Sequence, residues 1–177
     1  MNKNNTTQGL ELTFPYVVYS YHPILTKYVL LLSYFQLLYS PPLTLAPAAA
    51  ETIQSFLRDT DTKPSDYDLI LTGDLGKVGS ELLIDLLIKD FNIDISSVHN
   101  DCGLMIYDLE EQDMHAGGSG CGCSAAVVNS IIMKKLTNGS LKRVLFVGTG
   151  ALLSTTSSLQ GESVPGIAHG VLLTNGE

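Results

Sequence analysis

The residues that could take part in chemistry are concentrated in one stretch of the chain, residues 99–123. This stretch holds all three cysteines and two of the four histidines, and its candidate side chains are His99, Asp101, Cys102, His115, Cys121 and Cys123. Such groups can bind a metal ion, act as a nucleophile and its base, or line a ligand pocket. Their spacing and their neighbours discriminate among these three chemistries.

A run of small residues, AGGSGCGCSAA at 116–126, leads directly into a helix predicted over residues 124–136. Small residues let the backbone approach a ligand or another backbone closely. The start of a helix offers free amide donors and a partial positive charge, which together could hold a carboxylate. The pattern therefore predicts an anion-binding turn, and close helix packing without a ligand is an equally good alternative.

The two other chemistries fit the spacing less well. His99-x-x-Cys102 and Cys121-x-Cys123 lack the paired spacing of common zinc sites, so no metal is predicted. Cys121 or Cys123 beside His115 would suit a nucleophile and its base, with the helix start lowering the pKa of the thiol. We disfavour this arrangement because buried cysteines among small residues are usually inert.

The overall charge argues against nucleic-acid binding. The 177 residues include 18 acidic and 10 basic side chains, whereas contacts to phosphate need clustered lysine and arginine. The length suits one compact domain or one half of a larger duplicated fold. An odd number of cysteines without a secretory signal favours reduced thiols and a reducing compartment.

Alternating helices and strands are predicted to position the candidate stretch. Helices are expected over 47–58, from Ser80 as a cap, and over 124–136, and strands over 67–72, 103–107, 143–149 and 167–173. In the second helix, Glu81, Asp85 and Lys89 form one polar stripe on an otherwise apolar surface, so we expect this helix to be covered on several sides. The alternation predicts a layered α/β fold.

Residues 1–45 differ in character from the rest of the chain. They contain six of the eight tyrosines and four of the seven prolines. An uncharged apolar run over 28–40 is 13 residues long, shorter than the roughly 20 residues that span a membrane. We interpret it as a core or interface segment; the alternative is a gene-model artefact in place of an upstream half. The predicted division is an atypical apolar segment, 1–45, and a domain, 46–177.

Several long motifs resemble those of one family. They are SDYDLI at 65–70, TGDLG at 72–76, NDCG at 100–103, HAGGSGCGCSA at 115–125 and GESVPGIAH at 161–169. On these motifs, residues 46–173 resemble the C-terminal half of the stage V sporulation protein AD family, which has a thiolase-like fold. The resemblance implies a truncated α/β chain, the C-terminal half of a duplicated layered architecture.

The family's role follows as an expectation from the resemblance. It implies a sporulation protein that binds dipicolinic acid, or its calcium chelate, for uptake into the developing spore. It also implies a homo-oligomer, without a cofactor, that works with other stage V sporulation A proteins. The expected location is the cytoplasm or the periphery of the spore inner membrane.

The resemblance also implies roles for individual residues. Thiolase-like enzymes carry a catalytic histidine in a Gly-His-x-x-Gly motif, and His115 fits it except that Met114 replaces the leading glycine. Asp101 lies where related condensing enzymes place a polar active-site residue. The predicted ligand-binding set is Asp101, His115, Gly118, Gly120, Cys121 and Cys123.

An enzymatic role is disfavoured by the part of the family pattern that is missing. Thiolase-like enzymes carry their nucleophilic cysteine in the N-terminal half, and residues 1–45 contain no cysteine. A ligand-binding protein is therefore the leading hypothesis. The alternatives are a thiolase-like acyltransferase and a non-functional fragment that lacks the N-terminal half.

Overall fold

The computed structural model describes the backbone of residues 12–17, 42–151 and 165–175, and the side chains of residues 45–151 and 165–175. The strands are β1 Leu12–Val17, β2 Leu69–Thr72, β3 His99–Asp101, β4 Arg143–Ala151 and β5 Gly166–Thr174. The helices are α1 Pro42–Asp59, α2 Gly76–Phe91, α3 Cys102–Met105, α4 Cys123–Val127 and α5 Met133–Thr137, and a π-helical segment, Val128–Ile132, joins the last two. The short 3₁₀ turn Pro64–Asp66 precedes β2.

The described strands form one mixed sheet in the order β1-β5-β4-β2-β3. β2 lies parallel to both β3 and β4, whereas β5 lies antiparallel to β4 and to β1. In a parallel arrangement the carboxyl ends of neighbouring strands meet at one edge of the sheet. The residues that follow β2 and β3 are therefore brought together with the end of β4.

Two hydrophobic clusters cover the two faces of this sheet, because successive side chains of a strand point to opposite faces. Ile70 packs with α1 and α2, and its neighbour Leu71 packs with the helical segment 123–137. Fully buried leucines of α2, Leu83 and Leu87, contribute to the first cluster. Each such side chain stabilises the fold by about 1.5–3 kcal/mol relative to an exposed one.

The predicted α/β class is confirmed by this sheet and its helices. The strands expected over 143–149 and 167–173 and the helix over 124–136 are present, each slightly longer than predicted. The polar stripe of α2 is exposed as expected, and Lys89 Nζ lies 2.8 Å from Asp85 Oδ2. The thiolase-like architecture and the division at residue 46 stay predictions.

Two predicted helix starts and one predicted strand were wrong, and β2 begins at Leu69, two residues later than predicted. α1 begins at Pro42, so Pro47 lies inside the helix and not in its first turn. α2 begins at Gly76, and Ser80 is buried within it without acting as a cap. The strand expected over 103–107 is the helix α3, because Asp101 accepts a hydrogen bond from Gly103 N and so ends β3 and begins the helix.

The π-helical segment explains an irregular spacing of buried residues. Cys123, Val127, Ile132 and Leu136 are buried at intervals of four, five and four residues. A regular α-helix turns by about 100° per residue, so the interval of five would rotate the later residues away from the sheet. One wider turn absorbs the additional residue and keeps all four on one face.

No helix among the described residues is long and apolar enough to cross a membrane. The apolar run at 28–40, which we interpreted as a core or interface segment, lies outside the described residues.

Candidate functional site

The glycine-rich turn, residues 116–122, lies against the segments that follow β2 and β3. Gly118 N donates a hydrogen bond to Gly103 O over 2.7 Å, and Lys77 N donates to Ala116 O over 2.9 Å. The turn therefore joins the start of α2 to the start of α3. The fold brings the predicted turn and the segment of Asp101 together, although 14 residues separate them in sequence.

One half of the turn packs so closely that it requires glycine. A Cβ atom on Gly117 would lie 2.6 Å from Gly103 O. A Cβ atom on Gly118 would lie 2.7 Å from the Cγ2 atom of Ile106 and 2.8 Å from the ring of Tyr107. These distances are far below van der Waals contact, so the absence of a side chain permits the packing. For this half of the turn, close packing against the segment 103–107 accounts for the glycines.

Asp101 is fully buried, and its carboxylate holds the surrounding backbone in place. Its Oδ1 accepts hydrogen bonds from Gly76 N and Gly103 N, each over 2.9 Å. Its Oδ2 accepts from Leu75 N over 2.9 Å and from Thr72 Oγ1 over 2.6 Å. The carboxylate thus supplies the acceptor for the start of α2. Burial raises the pKa of Asp101, against the opposing effect of these four donors.

His99 extends this hydrogen-bond network towards the edge of the sheet. Thr72 Oγ1 has one hydrogen, which it donates to Asp101, so it accepts the hydrogen bond of 3.1 Å from His99 Nε2. This arrangement requires His99 to carry its hydrogen on Nε2. Burial lowers the pKa of His99 to about 4, so the ring is neutral near neutral pH.

Asp74, at the end of β2, holds the other half of the turn. Its Oδ2 accepts hydrogen bonds from Ser119 Oγ over 3.0 Å and from Gly120 N over 3.1 Å. Its Oδ1 accepts from Thr149 Oγ1 of β4 over 2.9 Å. A single carboxylate therefore links the ends of β2 and β4 to the tip of the turn.

The three cysteines have different environments. Cys102 is fully buried, and burial together with the negative charge of Asp101 raises the pKa of its thiol to about 12. Burial also raises the pKa of Cys123, followed by the charges of Asp74 and Asp101. The raised pKa of Cys123 argues against the nucleophile arrangement that the sequence analysis disfavoured, in which the helix start lowers the pKa of the thiol. Cys121 is exposed.

His115 is exposed at the beginning of the turn. Its backbone φ is +36°, a conformation that residues other than glycine seldom adopt. Its Nδ1 lies 3.4 Å from Asp113 Oδ1, and both side chains are more than four-fifths exposed, at 84% and 87%. An ion pair with this exposure is weak, so the ring is not held tightly by its neighbour.

The predicted site residues thus divide into two groups. Asp101, Gly118 and Cys123 are buried, whereas His115, Gly120 and Cys121 are exposed. Only the exposed group offers atoms to a ligand in this structure, and the buried group shapes the backbone beneath it. That any of the six contacts a ligand stays a prediction.

No group of three or more histidine, cysteine and acidic side chains in the described part of the chain is placed to hold a metal ion. His169, on β5, is exposed, and His22 lies outside the described residues.

The sequence analysis missed the polar residues at the strand ends. Thr72 is the last, buried residue of β2, Asp74 lies two residues beyond it, and Thr149 lies near the end of β4. Polar side chains at the carboxyl ends of parallel strands commonly surround a site in α/β proteins. This signal was present in the TGD triplet at 72–74, but the sequence analysis used the triplet only as part of a motif shared with the family.

Comparison with known proteins identifies relatives of the part of the chain that forms this site. A model of the family "Stage V sporulation protein AD" matches residues 42–174. Stage V sporulation protein AD of Bacillus subtilis (strain 168) is 52% identical over 128 residues, which cover 72% of this chain. The matched region spans 37% of that relative's length. The chain therefore belongs to the stage V sporulation protein AD family.

Proposed function

We propose that the exposed half of the glycine-rich turn binds dipicolinate, a pyridine ring with two carboxylates, or its calcium chelate, for uptake into the developing spore. The observation that supports the proposal is the exposure of the turn at the start of a helical segment. Residues 119–122 are exposed, and they lie directly before a helical segment that begins at Cys123. Backbone amides at such a position can donate hydrogen bonds to a carboxylate.

The space around the turn is compatible with a planar ligand. A Cβ atom at Gly120 or Gly122 would meet no atom within 4 Å. The two positions therefore leave open surface beside the exposed backbone. An aromatic ring could lie against this surface without a side chain between ligand and main chain.

Charge determines which form of the ligand the site favours. Asp74 and Asp101 lie beneath the turn, and their negative charges repel a dianion, although the hydrogen-bond donors around each carboxylate partly offset its charge. His115 and Lys77 are exposed and border the turn, and each can carry positive charge. A calcium ion on the ligand would remove most of the repulsion, because it offsets both carboxylates. Calcium should therefore strengthen binding.

The described residues support a binding role better than acyl transfer. Acyl transfer needs a thiolate nucleophile, and the pKa values of Cys102 and Cys123 are both raised.

The proposal extends to the assembly in which the family is expected to act. We propose that the chain forms a homo-oligomer, lies at the periphery of the spore inner membrane and works with other stage V sporulation A proteins.

Titration calorimetry of the full chain with dipicolinate, with and without calcium, tests the proposal. We expect heat of binding at millimolar or lower ligand and a smaller dissociation constant with calcium. His115→Ala should weaken binding by about tenfold, which corresponds to about 1.4 kcal/mol. His169→Ala is the matched control, because His169 is an exposed histidine on β5. Absence of heat at millimolar ligand in both conditions would contradict the proposal.

A further inference from the structure

The two halves of the glycine-rich turn are held by different forces. Gly117 and Gly118 are packed against Gly103, Ile106 and Tyr107 at close range. By contrast, the position of a Cβ atom at Gly120 has no neighbour within 4 Å, and the φ angle of Gly120 is +121°. Packing therefore fixes the first half of the turn and leaves the second half, Ser119–Gly120, dependent on hydrogen bonds.

Asp74 supplies those hydrogen bonds from outside the turn. Its Oδ2 accepts from both Ser119 Oγ and Gly120 N. Asp74 is itself fixed by Thr149, because Thr149 Oγ1 donates to its Oδ1 and accepts from its backbone amide over 3.2 Å. A carboxylate held rigidly at the sheet edge thus determines where the tip of the turn lies.

The tip is hydrogen-bonded to a residue that carries a buried thiol. Cys123 N donates to Gly120 O over 3.0 Å, and Cys123 is only 5% exposed. Movement of Gly120 would therefore disturb the backbone of Cys123. By contrast, Cys102 is adjacent to Gly103, which packs against the first half of the turn.

We propose that Asp74 is the positioning residue of the candidate site: it holds Ser119 and Gly120 in the conformation that presents the turn to a ligand and covers the thiol of Cys123. Asp74 acts through these two residues, whose hydrogen bonds its Oδ2 accepts, and its negative charge would repel the carboxylates of the ligand. The ligand-related part of this inference rests on the proposed function, and the part concerning the turn does not.

Site-resolved thiol labelling tests the position of the turn without any ligand. Asp74→Ala should raise the rate of iodoacetamide labelling of Cys123 by about tenfold or more, because local opening no longer breaks two hydrogen bonds. Each rate is corrected for the thiolate fraction, taken from the pH dependence of labelling, because loss of the charge of Asp74 also lowers the pKa of this thiol. The labelling rate of Cys102, measured by mass spectrometry in the same sample, should change little. Asp94→Ala is the control, since Asp94 is an exposed aspartate that accepts hydrogen bonds from Ser96 and lies in a loop outside the turn.

Milder substitutions keep the inference testable if Asp74→Ala fails to fold. Asp74→Asn retains an amide oxygen that can accept from Gly120 N, and Ser119→Ala removes only one of the two bonds to the tip. Both should give labelling rates of Cys123 between those of the wild type and Asp74→Ala. An unchanged rate at Cys123, or an equal rise at Cys102 and Cys123, would overturn the inference, because the second result indicates global unfolding.

Calorimetry of the same variants separates this inference from the proposed function. If the wild type binds dipicolinate, Asp74→Ala should weaken binding and Asp74→Asn should partly restore it. Equal affinity in the wild type and Asp74→Ala, with Cys123 uncovered, would overturn the positioning role. If the wild type binds nothing while the labelling results hold, the proposed function fails and the control of the turn by Asp74 stands.

Discussion

At the scale of single residues, Asp101 joins the end of β2 and the start of α2 to the start of α3. Its buried carboxylate accepts from the amides of Leu75, Gly76 and Gly103 and from the hydroxyl of Thr72. Buried donors without an acceptor are costly because they have lost water and gained no partner. The residue first selected as a ligand contact therefore organises the start of two helices.

Asp101→Ala should lower the free energy of unfolding by about 3 kcal/mol or more, because each buried amide left without a partner costs about 1–3 kcal/mol. Urea unfolding followed by circular dichroism measures this loss. Asp94→Ala should change the free energy by about 0.5 kcal/mol or less, since exposed side chains contribute little. Similar losses in the two variants would show that the network of Asp101 does not form in solution.

His99 should make the stability of the protein depend on pH. Its pKa is about 4 in the folded chain, against 6.5 for an unburied histidine. Between these values the unfolded state binds a proton that the folded state does not, so stability is complete above pH 6.5 and is lost as the pH falls towards 4. The slope is up to about 1.4 kcal/mol per pH unit.

Chemical unfolding at a series of pH values between 7 and about 4.5 measures this slope. His99→Gln should flatten it, because glutamine can still donate to Thr72 but does not titrate. The titration of Asp101 is common to both proteins, so the difference between them reports mainly on the histidine. Parallel pH profiles would mean that His99 is accessible to water in the folded state.

At the scale of elements, the helical segment 123–137 contains one residue more than a regular helix needs. The π-helical turn at 128–132 absorbs it and keeps Ile132 and Leu136 against the sheet. Deletion of the exposed Ser130 should convert this turn to α-helix without moving the residues that follow. We therefore expect the unfolding free energy to change by about 1 kcal/mol or less.

The matched control is a deletion in a helix without such a turn. Loss of the exposed Asp85 from α2 rotates the following residues by about 100° and removes Leu87 from the core. The expected cost is at least that of removing one buried leucine, about 2–5 kcal/mol. Urea unfolding of the two deletion variants compares them directly, and a severe loss for Ser130 would argue against the π-helical turn.

The elements that could be predicted are those whose local pattern agrees with their tertiary contacts. Strand β4 contains the apolar run VLFV at 144–147 and strand β5 the run VLL at 171–173, and the helix after the small residues presents an apolar face to the sheet. Prediction failed at the start of α2, where the acceptor is a carboxylate 25 residues away in sequence. Asp101 accepts from Gly76 N, and no local pattern shows that a buried side chain will reach this amide. At α3 the signal was local and was missed, because Asp101 directly precedes the helix and caps it through Gly103 N.

The candidate site could be predicted only where a local sequence pattern indicates the tertiary contact. The run of small residues correctly indicated a close backbone approach, which is seen at Gly117 and Gly118. The role of Asp74 was missed because it depends on partners 45 and 75 residues away, Ser119 and Thr149. The burial of each candidate side chain also depends on how the whole sheet assembles. The periodicity of a sequence indicates the buried face of one helix or strand, but not which elements pack against it.

At the scale of the whole molecule, a single sheet carries both hydrophobic clusters and, at one edge, the candidate site. Ile70 and Leu71 are adjacent in β2, fully buried, and belong to the clusters on opposite faces. Because the two residues are adjacent in β2, displacement of this strand from one cluster also disturbs the packing of the other cluster. The turn and the two aspartates that hold it should therefore unfold together with the sheet.

This coupling predicts one cooperative transition for the described fold. Ile70→Ala and Leu71→Ala should each cost about 2–5 kcal/mol, as removal of a buried isoleucine or leucine side chain does. Circular dichroism reports on the whole sheet, and labelling of Cys102 reports on the cluster that contains Leu71. Each variant should shift both signals to the same lower urea concentration. If Ile70→Ala shifted the dichroism and left the labelling of Cys102 unchanged, the two faces would unfold separately, and the turn could change its conformation independently of α1 and α2.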